Sequence, residues 1–271
     1  MVNVSHFHRK PDVGAYSLER IFKDVREEFP ADINVAVKVS AFLSRGFLKR
    51  LYNIFEASFR QSEVNHITGD VHFLIYALAG RRTVLTILDC VGIVNYSGLK
   101  RWVFIILWYR LPVRKAAVVT VISQTTKQEL LKYVTCSEEK IKVINCPLSN
   151  CFKPYPQKFN NIRPNILQLG TAFNKNVERV AEALVGINCK WVIVGRLSIE
   201  QVELIEGFGI DFENVFGLSE VDLLEKFINS DFLVFASTYE GFGMPIIEAN
   251  AVGRAVVTSN VCSINTINNK H

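Results

Sequence analysis

Short runs of β-branched and aliphatic residues recur along the chain, separated by longer stretches in which apolar residues return every three or four positions. The runs at Ile33–Val39, Val64–Thr68, Thr83–Leu88, Val118–Ile122 and Ile141–Ile144 predict strands. The stretches Ser17–Glu28, Phe47–Phe59, Lys100–Tyr109 and Thr125–Tyr133 predict helices. Strand and helix in alternation point to a parallel sheet covered on both faces. The rhythm breaks over residues 145–164, "NCPLSNCFKPYPQKFNNIRP", where four prolines stand among few periodic apolar positions. It then resumes with strands at Ile166–Leu169, Trp191–Val194, Asn214–Phe216, Phe232–Phe235 and Ala255–Thr258. Helices are predicted between them at Val177–Val185, Ile199–Gly207, Glu220–Asn229 and Pro245–Ala251. The expectation is an α/β protein of two doubly wound domains, residues 1–150 and 165–271, joined by a linker at 151–164. After Thr258 only "SNVCSINTINNKH" remains, short of the strand and helices that would normally finish such a sheet, which suggests a short or truncated C-terminus.

Composition narrows the class. With 271 residues, 49% hydrophobic and 21% charged, the chain can bury two cores and does not read as disordered. The net charge of +5 suits a phosphate-bearing ligand or an anionic membrane surface, while scattered basic residues without a binding signature give no reason to expect nucleic acid. Six cysteines lack any C-x-x-C pair or zinc spacing, so reduced buried thiols in a cytoplasmic protein are expected. The start, "MVNVSHFHRKPDV", is too polar for a signal peptide. The most apolar run, "WVFIILWY" at 102–109, falls far short of the roughly 20 residues that span a bilayer. Burial in a large domain accounts for it, and an interfacial helix making peripheral contact at the inner face of a membrane is the alternative.

In open α/β sheets ligands bind beyond the carboxyl ends of the strands, and two motifs fall there. In "LQLGTAFNKN", residues 167–176, a strand ends at Gly170 and a helix begins near Asn176, with Lys175 beside the helix start. Glycine allows close backbone approach, and helix-start amides with a lysine suit a phosphate. The same letters fit a plain turn in which Asn174 or Asn176 caps the helix and Lys175 is solvated. In "STYEGFGMPIIEA", residues 237–249, Glu240 falls in a loop, Pro245 takes the first helical position and Glu248 lies in the first turn. Gly241 and Gly243 would bare the amides of Phe242 to Met244 to a ligand. Taken singly, Glu248 also reads as a capping residue and Glu240 as a solvated carboxylate.

"STYEGFGMPIIEA" resembles the E-x7-E motif of retaining, nucleotide-sugar-dependent glycosyltransferases of family 4. "LQLGTAFNKNVERVAEAL", "WVIVGR", "NVFGLSEVDLLEKFINSDFLVFAS" and "GRAVVTSNVCSI" follow the order of that family, and "VNHITGDVHF", "TVLTILDC" and "VVTVISQTTKQELLKY" resemble its acceptor domain. The resemblance implies the GT-B fold, two Rossmann-like domains facing across a cleft. It implies that Glu248 accepts hydrogen bonds from the donor ribose, and that Lys175 pairs with the diphosphate beside Gly170, Thr171 and Asn174. Gly241, Phe242, Gly243, Met244 and Pro245 would lie along the phosphate and transferred sugar, with Glu240 at the reacting centre and Asp89 as a second catalytic residue. Val215–Leu218 would border the base near Arg196, and Gly14, Tyr16 and Ser17 would line the acceptor side, although Tyr16 equally suits a helix start.

The implied reaction transfers a sugar, with retention, from a nucleotide diphosphate sugar to a saccharide or lipid-linked acceptor in surface polysaccharide or cell-envelope glycan synthesis. Amides and Lys175 would stabilise the charge of the leaving diphosphate, so no cofactor or metal is expected. No D-x-D occurs, and Asp211-Phe-Glu213 only approximates one. The sequence departs from many relatives at Thr171 and Asn174, where a second basic residue is common, and at Leu88, where histidine is common. Without the C-terminal helices that complete the donor domain in this family, an inactive homologue that keeps the fold and binds nucleotide or a partner is the alternative. A nicotinamide-dependent dehydrogenase is disfavoured, because Gly241-Phe-Gly243 lacks the third glycine of G-x-G-x-x-G.

Overall fold

The computed structural model describes residues 1–11 and 17–260. The chain divides into two compact units, Met1–Pro147 and Leu148–His271, each built on one parallel sheet. In the first, strands β1 (Val2–His8), β2 (Ile33–Val39), β3 (Val64–Ile67), β4 (Thr83–Ile87), β5 (Val118–Val121) and β6 (Ile141–Val143) stand in the order β2-β1-β3-β4-β5-β6. The connecting helices are α1 (Ser17–Glu27), α2 (Phe47–Ser58), α3 (Gly98–Ile105), α4 (Leu111–Lys115) and α5 (Gln124–Leu131).

β1 is the strand that sequence periodicity does not predict. It alternates Val, Phe and polar residues where buried parallel strands usually run apolar. The structure accommodates the polar positions individually: the buried Ser5 hydroxyl donates to the Arg60 carbonyl at 2.9 Å and pairs with Ser62 at 2.8 Å. The "WVFIILWY" run is not a buried helix. It spans α3 and a π-helical turn at Ile106–Arg110, exposing Trp102, Val103 and Leu107, half-burying Phe104, Ile105 and Trp108 against the core, and burying only Tyr109. Among the described residues no helix is long and apolar enough to cross a membrane. The five described cysteines form no disulfide, and burial pushes the Cys146 thiol up to about 12.

The second unit contains β7 (Asn165–Leu169), β8 (Lys190–Val194), β9 (Phe212–Val215), β10 (Phe232–Phe235) and β11 (Ala255–Thr258), ordered β11-β10-β7-β8-β9. Helices α6 (Val177–Leu184), α7 (Ile199–Gly207), α8 (Glu220–Ile228) and α9 (Met244–Ala251) alternate with them, within two residues of the predicted bounds. Successive strand residues face opposite ways. Leu167, Val192, Leu233 and Phe235 therefore pack with Phe227, Ile246 and Val252, whereas Ile166, Trp191, Ile193 and Val234 pack with Val180, Leu184 and Ile205. From β7 the chain adds strands on one side, and from β10 on the other, so the carboxyl ends of β7 and β10 meet at the topological switch.

The segment 151–164, expected to be a linker, packs onto the second unit. Phe152 is buried with its ring 5.5 Å from that of Phe227, and the Asn160 amide donates to Asp231 at 2.8 Å. The buried Arg254 guanidinium donates to the carbonyls of Tyr155 and Ile228, each at 2.8 Å. Prolines without periodicity mark irregular backbone, which can be buried if side chains and carbonyls meet partners.

The first unit also holds a cluster of buried histidines. His6 and His66 lie edge to face at 4.9 Å, and Phe22 packs against both and against His8. Neither ring nitrogen of His6 has a hydrogen-bond partner, whereas His66 pairs with Thr86 at 2.7 Å. Arg26 donates to Nε2 of His8 at 3.1 Å, which requires that nitrogen to be an unprotonated acceptor. Burial first, and neighbouring positive charge second, lowers His6 to about 3, and His8 and His66 to about 4, from 6.5. The unfolded chain thus binds more protons than the folded one below pH 6.5. The stability of the neutral cluster is fully present above pH 6.5 and is lost as pH falls from there towards 4. Urea midpoints measured between pH 7.5 and 5 should fall with acid, and His6→Phe, which keeps an aromatic ring but cannot titrate, should make the fall shallower; a midpoint independent of pH would refute this account.

Candidate functional site

The loop after β7 and the loop after β10 are joined at the switch point by hydrogen bonds between residues about 60–65 apart in the chain. The Thr238 amide donates to the Asn174 carbonyl at 2.8 Å, and the Asn174 side-chain amide donates to the Tyr239 carbonyl at 3.0 Å. Asn176 donates to the Ala236 carbonyl at 3.1 Å. Beneath this clasp the Lys175 ammonium meets the Glu240 carboxylate at 2.5 Å and lies 4.9 Å from the centre of the Phe235 ring. Both charged side chains are largely covered, 20% and 13% exposed, so the pair is not an ordinary solvated surface contact.

Local sequence explains this geometry. Gly170 has φ +89, and a Cβ there would lie 2.9 Å from Cγ and Cε of Lys175, so the absent side chain leaves the lysine its path along the backbone. The next strand contributes too: the Thr171 hydroxyl donates to the Arg196 carbonyl at 2.7 Å, and the Arg196 guanidinium lies 4.7 Å from the centre of the Phe216 ring. Leu218 follows β9 at the same sheet edge.

The helix starts after β7 and β10 differ from those after β8 and β9. α7 and α8 are closed by capping boxes from Ser198 and Ser219. α6 and α9 have no side-chain cap and begin after left-handed residues, Asn176 at φ 60 and Gly243 at φ 100. The expectation that Asn174 or Asn176 caps α6 is therefore corrected, because both side chains are directed to carbonyls of the β10 loop. Left-handed asparagine is tolerated where its side chain finds such local partners. α9 begins at Met244, one residue before the predicted start, so Pro245 is its second residue and Glu248 opens the second turn rather than capping the first. Glu248 is buried, 2% exposed, one helical turn beyond Met244. Gly241 and Phe242 complete the loop between Glu240 and Gly243.

The structure thus groups Gly170, Thr171, Asn174, Lys175, Arg196 and Glu240 in one bonded set, with Gly243, Met244, Pro245 and Glu248 on the adjoining helix start. Sequence reasoning missed Gln201, which donates to the Thr171 carbonyl at 3.2 Å and to Glu178 at 2.9 Å, whereas Phe216, stacked with Arg196, lies in the expected stretch Val215–Leu218. No local signal marks Gln201, which reads as an ordinary capping-box member. Asp89 belongs to the first unit, just past the carboxyl end of β4, where its carboxylate accepts from the Val91 amide at 2.9 Å. Gly14 and Tyr16 lie outside the described residues, and Ser17 is described only as the first residue of α1. The carboxylates of the loose D-x-D are engaged by basic side chains. Glu213 bridges Lys190 and Lys226, both at 2.5 Å, which holds its carboxyl below the usual range, and Asp211 pairs with Arg163. Asp211 also precedes β9, at the sheet edge opposite the clasp. Among the described residues no group of three or more His, Cys, Asp or Glu could hold a metal ion.

The role assigned to Gly170 can be tested against Gly209, which has φ +66 and open space around its Cβ position. Gly209→Ala should cost about 1 kcal/mol from backbone strain alone. Gly170→Ala should cost more in urea unfolding, because it adds the collision with Lys175; equal losses would show that the lysine path is not constrained there.

Solved structures share this fold across nearly the whole chain. HepE of Anabaena, in complex with UDP and glucose, is 15% identical, with 98% of this chain and 83% of that chain covered at a TM-score of 0.75. Sucrose-phosphate synthase of Thermosynechococcus elongatus is 15% identical with the same coverage and a TM-score of 0.78. WaaG, a glycosyltransferase involved in lipopolysaccharide biosynthesis, is 15% identical over 99% of this chain and 84% of that chain, at 0.71. No curated protein sequence matches the chain. The fold is of the GT-B type, and residues 155–271, which contain the clasped loops and α9, match the family of glycosyl transferases group 1.

Proposed function

We propose that the protein is a glycosyltransferase that moves a sugar from a nucleotide diphosphate donor to a saccharide or lipid-linked acceptor with retention of configuration, as a member of family 4. The observation that carries this reading is the convergence of Lys175, Glu240 and two uncapped helix starts at one sheet edge. A helix start without a cap presents amide hydrogens and the positive end of the dipole, which favours a phosphate. In the absence of donor, Lys175 is held by Glu240. With donor present the ammonium pairs with the diphosphate, and Glu240, released from its partner, faces the transferred sugar.

Cleavage of the bond between the anomeric carbon and the diphosphate leaves the electron pair on the leaving oxygen. Lys175 and the amides at Gly243 and Met244 stabilise the charge that develops there, so the reading needs no metal. Glu248 accepts hydrogen bonds from the donor ribose, Arg196 and Leu218 flank the base, Asp89 acts as a second catalytic residue beside Glu240, and Gly14, Tyr16 and Ser17 serve the acceptor side. The complexes of HepE with UDP and glucose, and of Arabidopsis starch synthase IV with ADP and acarbose, support a nucleotide-linked donor. The setting proposed is surface polysaccharide or cell-envelope glycan synthesis in the cytoplasm, with peripheral contact at the inner face of the membrane.

A panel of nucleotide sugars assayed for hydrolysis and transfer tests the proposal. At least one donor should be turned over, and Lys175→Ala or Glu248→Ala should reduce kcat/KM by roughly 10²–10³, the scale of losing a charge-stabilising donor in other sites. Nucleotide binding with no turnover of any donor would replace the enzyme with a homologue that keeps the fold and only binds.

A further inference from the structure

Helix α2 is built inside out. Its buried residues are Asn53 and Ala57, with Ile54 half-buried against the core. Its large apolar residues face solvent: Phe47, Leu48 and Phe55 are 73%, 78% and 63% exposed, and Leu51, Tyr52 and the following Phe59 are exposed as well. At 100° per residue these six occupy one continuous face opposite Asn53 and Ala57. A contiguous aromatic and aliphatic face of this kind is unusual on a protein that has only water as its neighbour.

Charge identifies the neighbour. Residues 42–60 contain four basic residues, Arg45, Lys49, Arg50 and Arg60, and one acidic residue, Glu56. The Glu56 carboxylate is already engaged by Arg60 at 2.7 Å and by the Ala41 amide at 3.0 Å. Arg50 lies 4.6 Å from the centre of the Trp108 ring, so the π-helical turn adjoins α2. That neighbouring segment exposes Leu99, Trp102 and Leu107 and, over residues 94–115, has five Lys or Arg and no Asp or Glu. A second copy of the chain is disfavoured as the occupant, because a two-fold contact would set one basic patch against another.

We propose that α2 lies in the headgroup layer of an anionic phospholipid bilayer, its aromatic face sunk roughly 5–10 Å and its basic residues at the lipid phosphates. This specifies the surface behind the peripheral membrane contact proposed above, and it stands independently of whether sugar is transferred.

Flotation of the full chain with phosphatidylcholine vesicles, with and without phosphatidylglycerol, tests it in the absence of donor and acceptor. The chain should float with the anionic vesicles, less so as salt rises. Phe47→Ser combined with Phe55→Ser should lower partitioning at least about ten-fold. Lys49→Glu should weaken it while leaving the aromatic face intact. Both residues of the double variant are solvent-exposed, so its urea midpoint and its donor hydrolysis without vesicles should match those of the parent chain. The proposal is overturned by failure of the parent chain to float, by equal flotation of the double variant, or by a dimer in sedimentation that the double variant disperses. Loss of hydrolysis with flotation intact would count against the transferase reading alone.

Discussion

The second unit's candidate site depends on one pairing, that of β7 with β10. Parallel strands need crossovers, and the order β11-β10-β7-β8-β9 brings together two carboxyl ends whose loops are some 65 residues apart in sequence. Only because those strands are neighbours can Asn174 and Asn176 reach the backbone of the β10 loop, and Lys175 reach Glu240. The asparagines spend their side chains on the partner loop rather than on α6. Holding the loops together and leaving the helix start uncapped are therefore one structural event.

That trade has a local cost. An uncapped helix start forgoes about 1 kcal/mol of capping stabilisation, and a left-handed asparagine adds strain. The capping boxes at Ser198 and Ser219 show that the same sheet edge closes the helices after β8 and β9. The cost falls at the two helix starts that flank the switch point, where, on the reading proposed above, a bound phosphate would recover it.

The first unit shows the complementary situation. Its strand β1, one in from the sheet edge, buries histidines and a serine that periodicity would place at the surface, and its helix α2 exposes aromatic residues that periodicity would place in the core. An amphipathic pattern specifies that a helix has two faces; which face turns inward depends on what the sheet offers. Here Ala57 and Asn53 face the core, and Asn53 is satisfied by donating to the Phe42 carbonyl at 2.8 Å and accepting from the Phe42 amide.

Much of the architecture is legible in the sequence. Apolar runs predict ten of the eleven described strands, and spacing with resemblance singles out Gly170, Lys175, Glu240 and Glu248, of which the fold brings Lys175 against Gly170 and Glu240 and buries Glu248 on the adjoining helix. Periodicity does not mark β1, whose buried Ser5 is satisfied by a partner 55 residues away and whose buried His6 has no hydrogen-bond partner, and the segment at 151–164 reads as a linker because its contacts to Phe227, Asp231 and Arg254 are more remote still. By itself the sequence determined the alternation of elements and the residue types offered to the sheet edge, since propensity and periodicity act between near neighbours. The tertiary structure alone decided that Lys175 pairs with Glu240, that Asn176 leaves α6 uncapped and that α2 faces outward. Those outcomes depend on which distant backbone groups become neighbours, and strand order rather than local sequence sets that.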